Sequence, residues 1–167
     1  MCSSDLCAHM SNCRKIFAVL AACLLLLAGC SATPEASRDS DADAKRFESA
    51  PGSAIVYLYR ADGPDNRGFT TLWLDGRLIG EIAPASYFRV SVRPGKNALT
   101  AYAGDNGRLD FETRSDGVYY VAISVRGGYA AQNSSFSLVP PEVGRAQIMR
   151  CCSLLETWKP GQNRVPL

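Results

Sequence analysis

Three regimes of hydropathy divide the 167-residue chain. Residues 16–29 are an almost unbroken apolar run behind Arg14-Lys15. Residues 31–53 are small and charged, with little apolar bulk. From Ala54 onward apolar and polar positions alternate in short stretches separated by Gly, Pro, Asn and Asp. An alternation with a period of two is what a strand with one buried face requires, because successive side chains leave opposite faces.

This pattern predicts strands over 54–60, 69–74, 77–82, 87–92, 98–103, 108–113, 118–125 and 134–139. Asp75-Gly76 between two of them is a hairpin signal, since a type I′ turn needs positive φ at both central residues. In the stretch 87–92, Phe88, Val90 and Val92 share one face and Tyr87, Arg89 and Ser91 the other. Seven or eight such strands imply a mainly β fold, an antiparallel β-sandwich of the Ig-like or transthyretin-like kind. Pro140-Pro141-Glu142 then starts a short C-terminal helix over 141–152. Val143, Ala146 and Met149 share one face of it, which predicts that they cover a sheet edge or an open end. The expected domain therefore runs over 54–157, with a loose tail over 158–167.

The polar stretch reads as a flexible tether over 30–53, because it has too little apolar surface to offset the entropy of ordering. The apolar run before it, Ile16 to Gly29, is 14 residues long. A helix spanning a bilayer needs roughly 20, so the run suits the core of an export signal over 1–29. Met10 is then a more natural start than Met1. An uncleaved N-terminal anchor and an ordinary cleaved signal are the competing readings. Leu27-Ala28-Gly29-Cys30 argues against both, because small residues admit a peptidase and a thiol can be alkylated. These four residues resemble the lipobox of bacterial lipoprotein precursors. The resemblance implies a lipid on Cys30, cleavage just before it, and an N-terminus held on a membrane. Ser31 in the next position implies the outer membrane, facing the periplasm.

Removing such a leader changes the available chemistry. It leaves 138 residues, one domain's worth. The whole chain has 18 basic and 16 acidic residues; the leader takes Arg14, Lys15 and Asp5, leaving 16 against 15. That balance gives no electrostatic footprint for nucleic acid. The lone histidine, His9, also leaves. A chain without histidine has no Ser-His-Asp or Cys-His mechanism and no His-ligated metal site. Seven cysteines become three: Cys30 and the neighbours Cys151 and Cys152. The neighbours are candidates for a disulfide with each other or with another chain, or for free thiols. Two thiolates alone make a poor metal site. No metal or cofactor is expected.

Few constellations remain. Asp110 and Glu112 leave one face of a strand, but catalysis by paired carboxylates needs one of them desolvated. Arg108 and Arg114 beside them suggest a solvated charge ladder. Trp73, Tyr57, Tyr59, Tyr102, Tyr119 and Tyr120 are either a groove for sugar or peptide or part of the core. Arg77, Arg89, Arg93 and Lys96 form at most a modest basic face. No glycine cluster makes a phosphate loop.

Ala54-Ile55-Val56-Tyr57-Leu58-Tyr59-Arg60, Leu74-Asp75-Gly76-Arg77-Leu78-Ile79-Gly80, Ala85-Ser86-Tyr87-Phe88 and Val92-Arg93-Pro94-Gly95-Lys96 occur in that order. Over about 53–140 the chain resembles bacterial lipoproteins of the domain-of-unknown-function 2846 family, and its centre resembles PEGA-type surface modules. Asn97 stands where the related pattern often has histidine. The resemblance implies a small envelope-anchored β domain and supplies no catalytic residue. The expectation is thus a lipid-anchored, non-enzymatic binding or structural module at the periplasmic face. Its partners would be the membrane, through the lipid, and an envelope protein or peptidoglycan. The alternative is a carboxylate-dependent hydrolase of cell-wall sugar or peptide.

Overall fold

Ala54–Arg60 forms strand β1, and all seven of its residues are buried. A strand buried on both faces must lie inside a sheet that is itself covered on both sides, and the architecture is arranged around that fact. The computed structural model describes residues 33–62, 68–102, 105, 107–127 and 133–159. The remaining strands are β2 (Thr70–Leu74), β3 (Arg77–Ile82), β4 (Ser86–Val92), β5 (Gly95–Ala101), β6 (Arg108–Thr113), β7 (Val118–Arg126), β8 (Asn133–Val139) and β9 (Ser153–Leu154). Two helices accompany them, α1 (Arg38–Ala44) and α2 (Pro141–Cys151).

The strands form two sheets, in the orders β8-β7-β1-β4-β9 and β3-β2-β5-β6. The fold is mainly β, as the alternation implies, but the larger sheet is mixed rather than purely antiparallel. β1 pairs antiparallel with β4 and parallel with β7, and β9 pairs parallel with β4. The first strand takes the central place in its sheet: the chain leaves it for β2 and β3, returns as β4 on one side, leaves again for β5 and β6, and returns as β7 on the other. Period-two patterning reports which face is buried, not strand direction.

One buried cluster draws on both sheets. Val56, Leu58, Phe88, Val90, Val121 and Ile123 come from the larger sheet, and Leu72, Leu74, Ile79, Ile82, Leu99 and Phe111 from the smaller. A second cluster lies on the other face of the larger sheet, where Tyr57, Tyr59, Tyr87 and Tyr120 pack with Phe47, Ala44 and Ile148. The Asp75-Gly76 hairpin forms as expected, with φ of 53° and 73°. Both values are positive, the requirement of a type I′ turn.

Two expectations fail for physical reasons. Residues 33–53 are not a loose tether. Ser37 caps α1, its Oγ accepting from Ser40 N at 3.1 Å, and Asp39 and Asp41 sit in the first turn, where acidic side chains suit the helix dipole. The segment is then pinned to the second cluster by Ala44 and Phe47. The domain accordingly begins by Thr33 rather than at 54. The C-terminal helix is also rotated from the expected orientation. Gly144 and Ile148 are its buried residues, while Val143 and Met149 are exposed. A β-carbon on Gly144 would stand 2.4 Å from Tyr120 Cγ, so α2 lies on the tyrosine ring at the one position without a side chain. Of the expected tail, Trp158 N donates to Ile79 O at 2.8 Å, and residues 160–167 lie outside the described residues.

Candidate functional site

The tyrosines of the larger sheet follow from its alternation. Tyr57 and Tyr59 on β1, Tyr87 on β4 and Tyr120 on β7 all leave the face opposite the inter-sheet core. Each hydroxyl then needs a partner beneath the helices. Tyr57 Oη donates to Ala44 O at 2.6 Å and accepts from Arg89 Nε at 3.2 Å. Tyr59 Oη donates to Gln147 Oε1 at 2.6 Å. Tyr120 Oη accepts from Arg145 Nε at 3.0 Å. Tyr87 Oη donates to Asp41 Oδ1 at 2.9 Å, and Leu154 N donates to the same oxygen at 2.9 Å. Lys45 Nζ closes on the other carboxylate oxygen at 2.7 Å. Burial pushes all four phenols above the usual tyrosine range. At Asp41 burial acts to raise the carboxyl, but hydrogen bonds from Lys45, Tyr87 and Leu154 outweigh it and hold the group below its ordinary value.

Beside this layer, between α1 and the strand after α2, lies an open cavity of about 530 Å³. Its walls carry both signs of charge: Arg46, Arg89 and Lys159 against Asp43, Glu48 and Glu156. Arg46 is paired with Asp43 at 2.9 Å and Glu48 at 3.2 Å, and Arg89 also reaches Glu48 O at 3.3 Å. The cavity is a polar hollow in which Arg46 is paired with both Asp43 and Glu48.

The expected site residues are dispersed. Cys30 lies outside the described residues. Cys151 and Cys152 are joined by a disulfide at the end of α2, with Cys152 buried and its Sγ 3.7 Å from Arg60 O. Asp110 and Glu112 are exposed on β6, and Arg108 grips Asp110 through Nε at 2.9 Å and Nη2 at 2.6 Å. Of the aromatic set, Tyr57, Tyr59 and Tyr120 are buried, Trp73 and Tyr119 half-buried, and Tyr102 exposed. They do not gather into one groove. Arg77, Arg93 and Lys96 are exposed, and Arg89 is taken up by Tyr57. Asn97 is buried, with Nδ2 donating to Gly95 O at 2.8 Å and Thr113 Oγ1 at 3.0 Å, a brace for a turn. Among the described residues no group of three His, Cys, Asp or Glu side chains is placed to hold a metal ion.

Two polar residues escape sequence reading altogether. Asp105 accepts from Gly107 N at 3.0 Å, Thr70 Oγ1 at 3.0 Å and Ser134 N at 2.7 Å, and Ser134 Oγ also donates to it. Burial works to raise this carboxyl, and the hydrogen bonds more than reverse it, so it too is held low. It ties the β5–β6 loop of one sheet to β8 of the other. Arg60 is completely buried, with Nε on Asp62 at 2.9 Å and Nη1 on Gly68 O.

No family model matches the chain. It is 27% identical over 128 residues to an uncharacterized protein of Haemophilus influenzae, across 75% of this chain and 76% of that protein. The similarity thus spans most of both chains.

Proposed function

We propose that the protein is a lipid-anchored component of a bacterial envelope, attached through Cys30 and acting as a non-enzymatic binding or structural module at the periplasmic face of the outer membrane. Its domain is read as a β-sandwich of the Ig-like or transthyretin-like kind, with the larger sheet's outer face roofed by helices. The sequence motifs of the lipobox and of the domain-of-unknown-function 2846 and PEGA resemblances carry the placement. In the fold those motifs fall on β1, the β2–β3 hairpin, the start of β4 and the β4–β5 turn.

The single observation that bears most on this reading is how soon after Cys30 the fold begins. Thr33 Oγ1 accepts from Glu81 N at 3.1 Å, and Pro34 O accepts from Glu156 N at 2.9 Å. Two residues, Ser31 and Ala32, lie between Cys30 and Thr33, and the three Cα–Cα steps reach at most about 11 Å. A lipid at Cys30 would therefore hold the domain directly against the bilayer surface, with no long leash. The hydrolase alternative is disfavoured by Asp110 and Glu112: both are exposed and Asp110 is hydrogen-bonded to Arg108, the reverse of the desolvated acid such chemistry needs.

The test is growth with labelled fatty acid. The parent chain should take up label and fractionate with the envelope, and Cys30→Ser should do neither. Label retained by Cys30→Ser, or an unlabelled parent free in the soluble fraction, overturns the proposal.

A further inference from the structure

The two sheets have four edge strands, and three of them are guarded. The outer side of β9 is covered by the N-terminal segment, where Ala36 N donates to Leu154 O at 2.8 Å and Glu35 bridges Leu155. The outer side of β3 is occupied by Thr33 at Glu81 N and by Trp158 at Ile79 O. β6 bears Arg108, Asp110 and Glu112, charges of the kind that discourage edge-to-edge pairing. β8 differs from all three. Its sequence, Asn-Ser-Ser-Phe-Ser-Leu-Val, has no charge and no proline, and it runs beside β7 through seven residue pairs without a bulge. Among the described residues no strand pairs with its other side.

The hydrogen-bond directions show which groups of β8 face outward. Ile55 N donates to Gly117 O, so the odd residues of β7 turn toward β1 and the even ones toward β8. In the β7–β8 register Tyr120, Ala122, Ser124 and Arg126 oppose Val139, Ser137, Ser135 and Asn133. Those four residues of β8 therefore face β7, and Ser134, Phe136 and Leu138 face away. Ser134 N agrees, since it points outward to Asp105. Asp105 thus closes one outward donor, and among the described residues those of Phe136 and Leu138 have no partner. Leu138 is 47% exposed.

We propose that two copies of this chain join through β8 as an antiparallel pair about a twofold axis at Ser137. In that register Phe136 opposes Leu138 of the second copy, and Leu138 opposes its Phe136. Both remaining outward N–H groups and both facing carbonyls of each strand are then satisfied. The apolar cross-strand pair occurs twice, covering Leu138. The pairing ends where it must: Ser134 would next meet Pro140 of the second copy, and one of these has its N–H capped while the other has none. Centring the axis on Phe136 instead would bring Ser134 opposite Leu138 and require the donor that Asp105 already holds. An axis on Leu138 would send the Phe136 donor to Pro140 O, which already accepts from Val143 N and Gly144 N at 3.1 Å. The Ser137 register gives every open donor a carbonyl that no helix cap holds, and it merges two five-stranded sheets into one of ten.

Ser137 faces its own copy across a non-hydrogen-bonded pair, about 4.5 Å between α-carbons. Ser135 is set back by four residues from its copy, about 14 Å. The purified full chain carrying Ser137→Cys should therefore yield a 137–137 disulfide under mild oxidation, identified by peptide mass spectrometry, at least tenfold above the 135–135 link from Ser135→Cys. Sedimentation of the parent chain should show a concentration-dependent dimer. Leu138→Lys should abolish it, and at concentrations where the parent is monomeric the two melting temperatures should nearly coincide, because Leu138 is exposed in the single chain. A parent that stays monomeric throughout, equal linkage at 135 and 137, or a dimer that survives Leu138→Lys without linking at 137 overturns the proposal.

Discussion

Asp41 Oδ1 stands 2.9 Å from the hydroxyl of Tyr87, and 46 residues separate the two in sequence. The same oxygen takes the N–H of Leu154, so one carboxylate joins the N-terminal helix, a central strand and the strand after the C-terminal helix. These three pieces come from the start, middle and end of the domain. Asp41 is thus the point at which the roof over the tyrosine layer is fastened at both ends.

Asp41→Asn should cost about 1–3 kcal/mol of stability at neutral pH, since a charged acceptor of several hydrogen bonds is replaced by a neutral amide. The cost depends on pH in a definite direction. The carboxyl is held below its ordinary value in the folded chain. Its contribution is therefore complete above about pH 4 and is lost as pH falls through the depressed folded value. Denaturant titrations of both chains at pH 7 and near pH 2.5 should show the gap shrinking in acid. A gap that grew in acid would contradict the assignment.

Phe47 offers the sharpest distinction between a tether and a structural segment. Its ring lies 5.2 Å from that of Tyr57 and 5.9 Å from that of Tyr120. Removing such a ring from a buried site costs about 3–5 kcal/mol. Phe47→Ala should lower the denaturation midpoint accordingly and expose the tyrosine layer to a hydrophobic dye. A tether residue would change neither.

Much of the β architecture is legible in the sequence because each strand's alternation is local: the hairpin at Asp75-Gly76 and the faces of Tyr87 to Val92 need nothing beyond neighbouring residues. What escapes is long-range. Nothing in Ala54 to Arg60 says that this first strand will lie between β4 and β7, although its seven consecutive buried residues, tyrosines included, hint at cover on both faces. The N-terminal segment is misjudged because its composition is polar, while its order rests on a few groups: the Ser37 cap, Asp41 and the lone aromatic Phe47. The tyrosines look like groove residues because a buried hydroxyl and a ligand-facing one are written with the same letter. Only the positions of Ala44, Gln147 and Arg145 reveal which they are.

The Cys151–Cys152 disulfide should matter little to global stability. It closes the shortest loop a chain allows, and the chain-entropy account assigns such a loop only about 1 kcal/mol. Cys152 is buried, and its packing comes from the neighbouring core rather than from the bond to Cys151. Melting with and without a dithiol reductant should differ by only a few degrees, with α2 retained by circular dichroism. A collapse of the fold on reduction would show that the pair holds more than its own turn.

The orientation of α2 sets two opposed effects at Gly144. Alanine is the better helix former by about 1 kcal/mol. Against this, its β-carbon would stand 2.4 Å from Tyr120 Cγ and 2.5 Å from Tyr120 Cβ. These atoms lie close to the backbone of β7, in the body of the larger sheet, and cannot swing aside as a side-chain tip would. Overpacking of this kind costs about 1–3 kcal/mol or more, so it should exceed the helical gain. Gly144→Ala should therefore destabilise the protein, whereas Met149→Ala, at a position 60% exposed, should stay within about 0.5 kcal/mol of the parent. Were the helix turned as its apolar spacing suggests, with Val143, Ala146 and Met149 inward, the order would reverse, and urea midpoints for the two variants decide between the orientations.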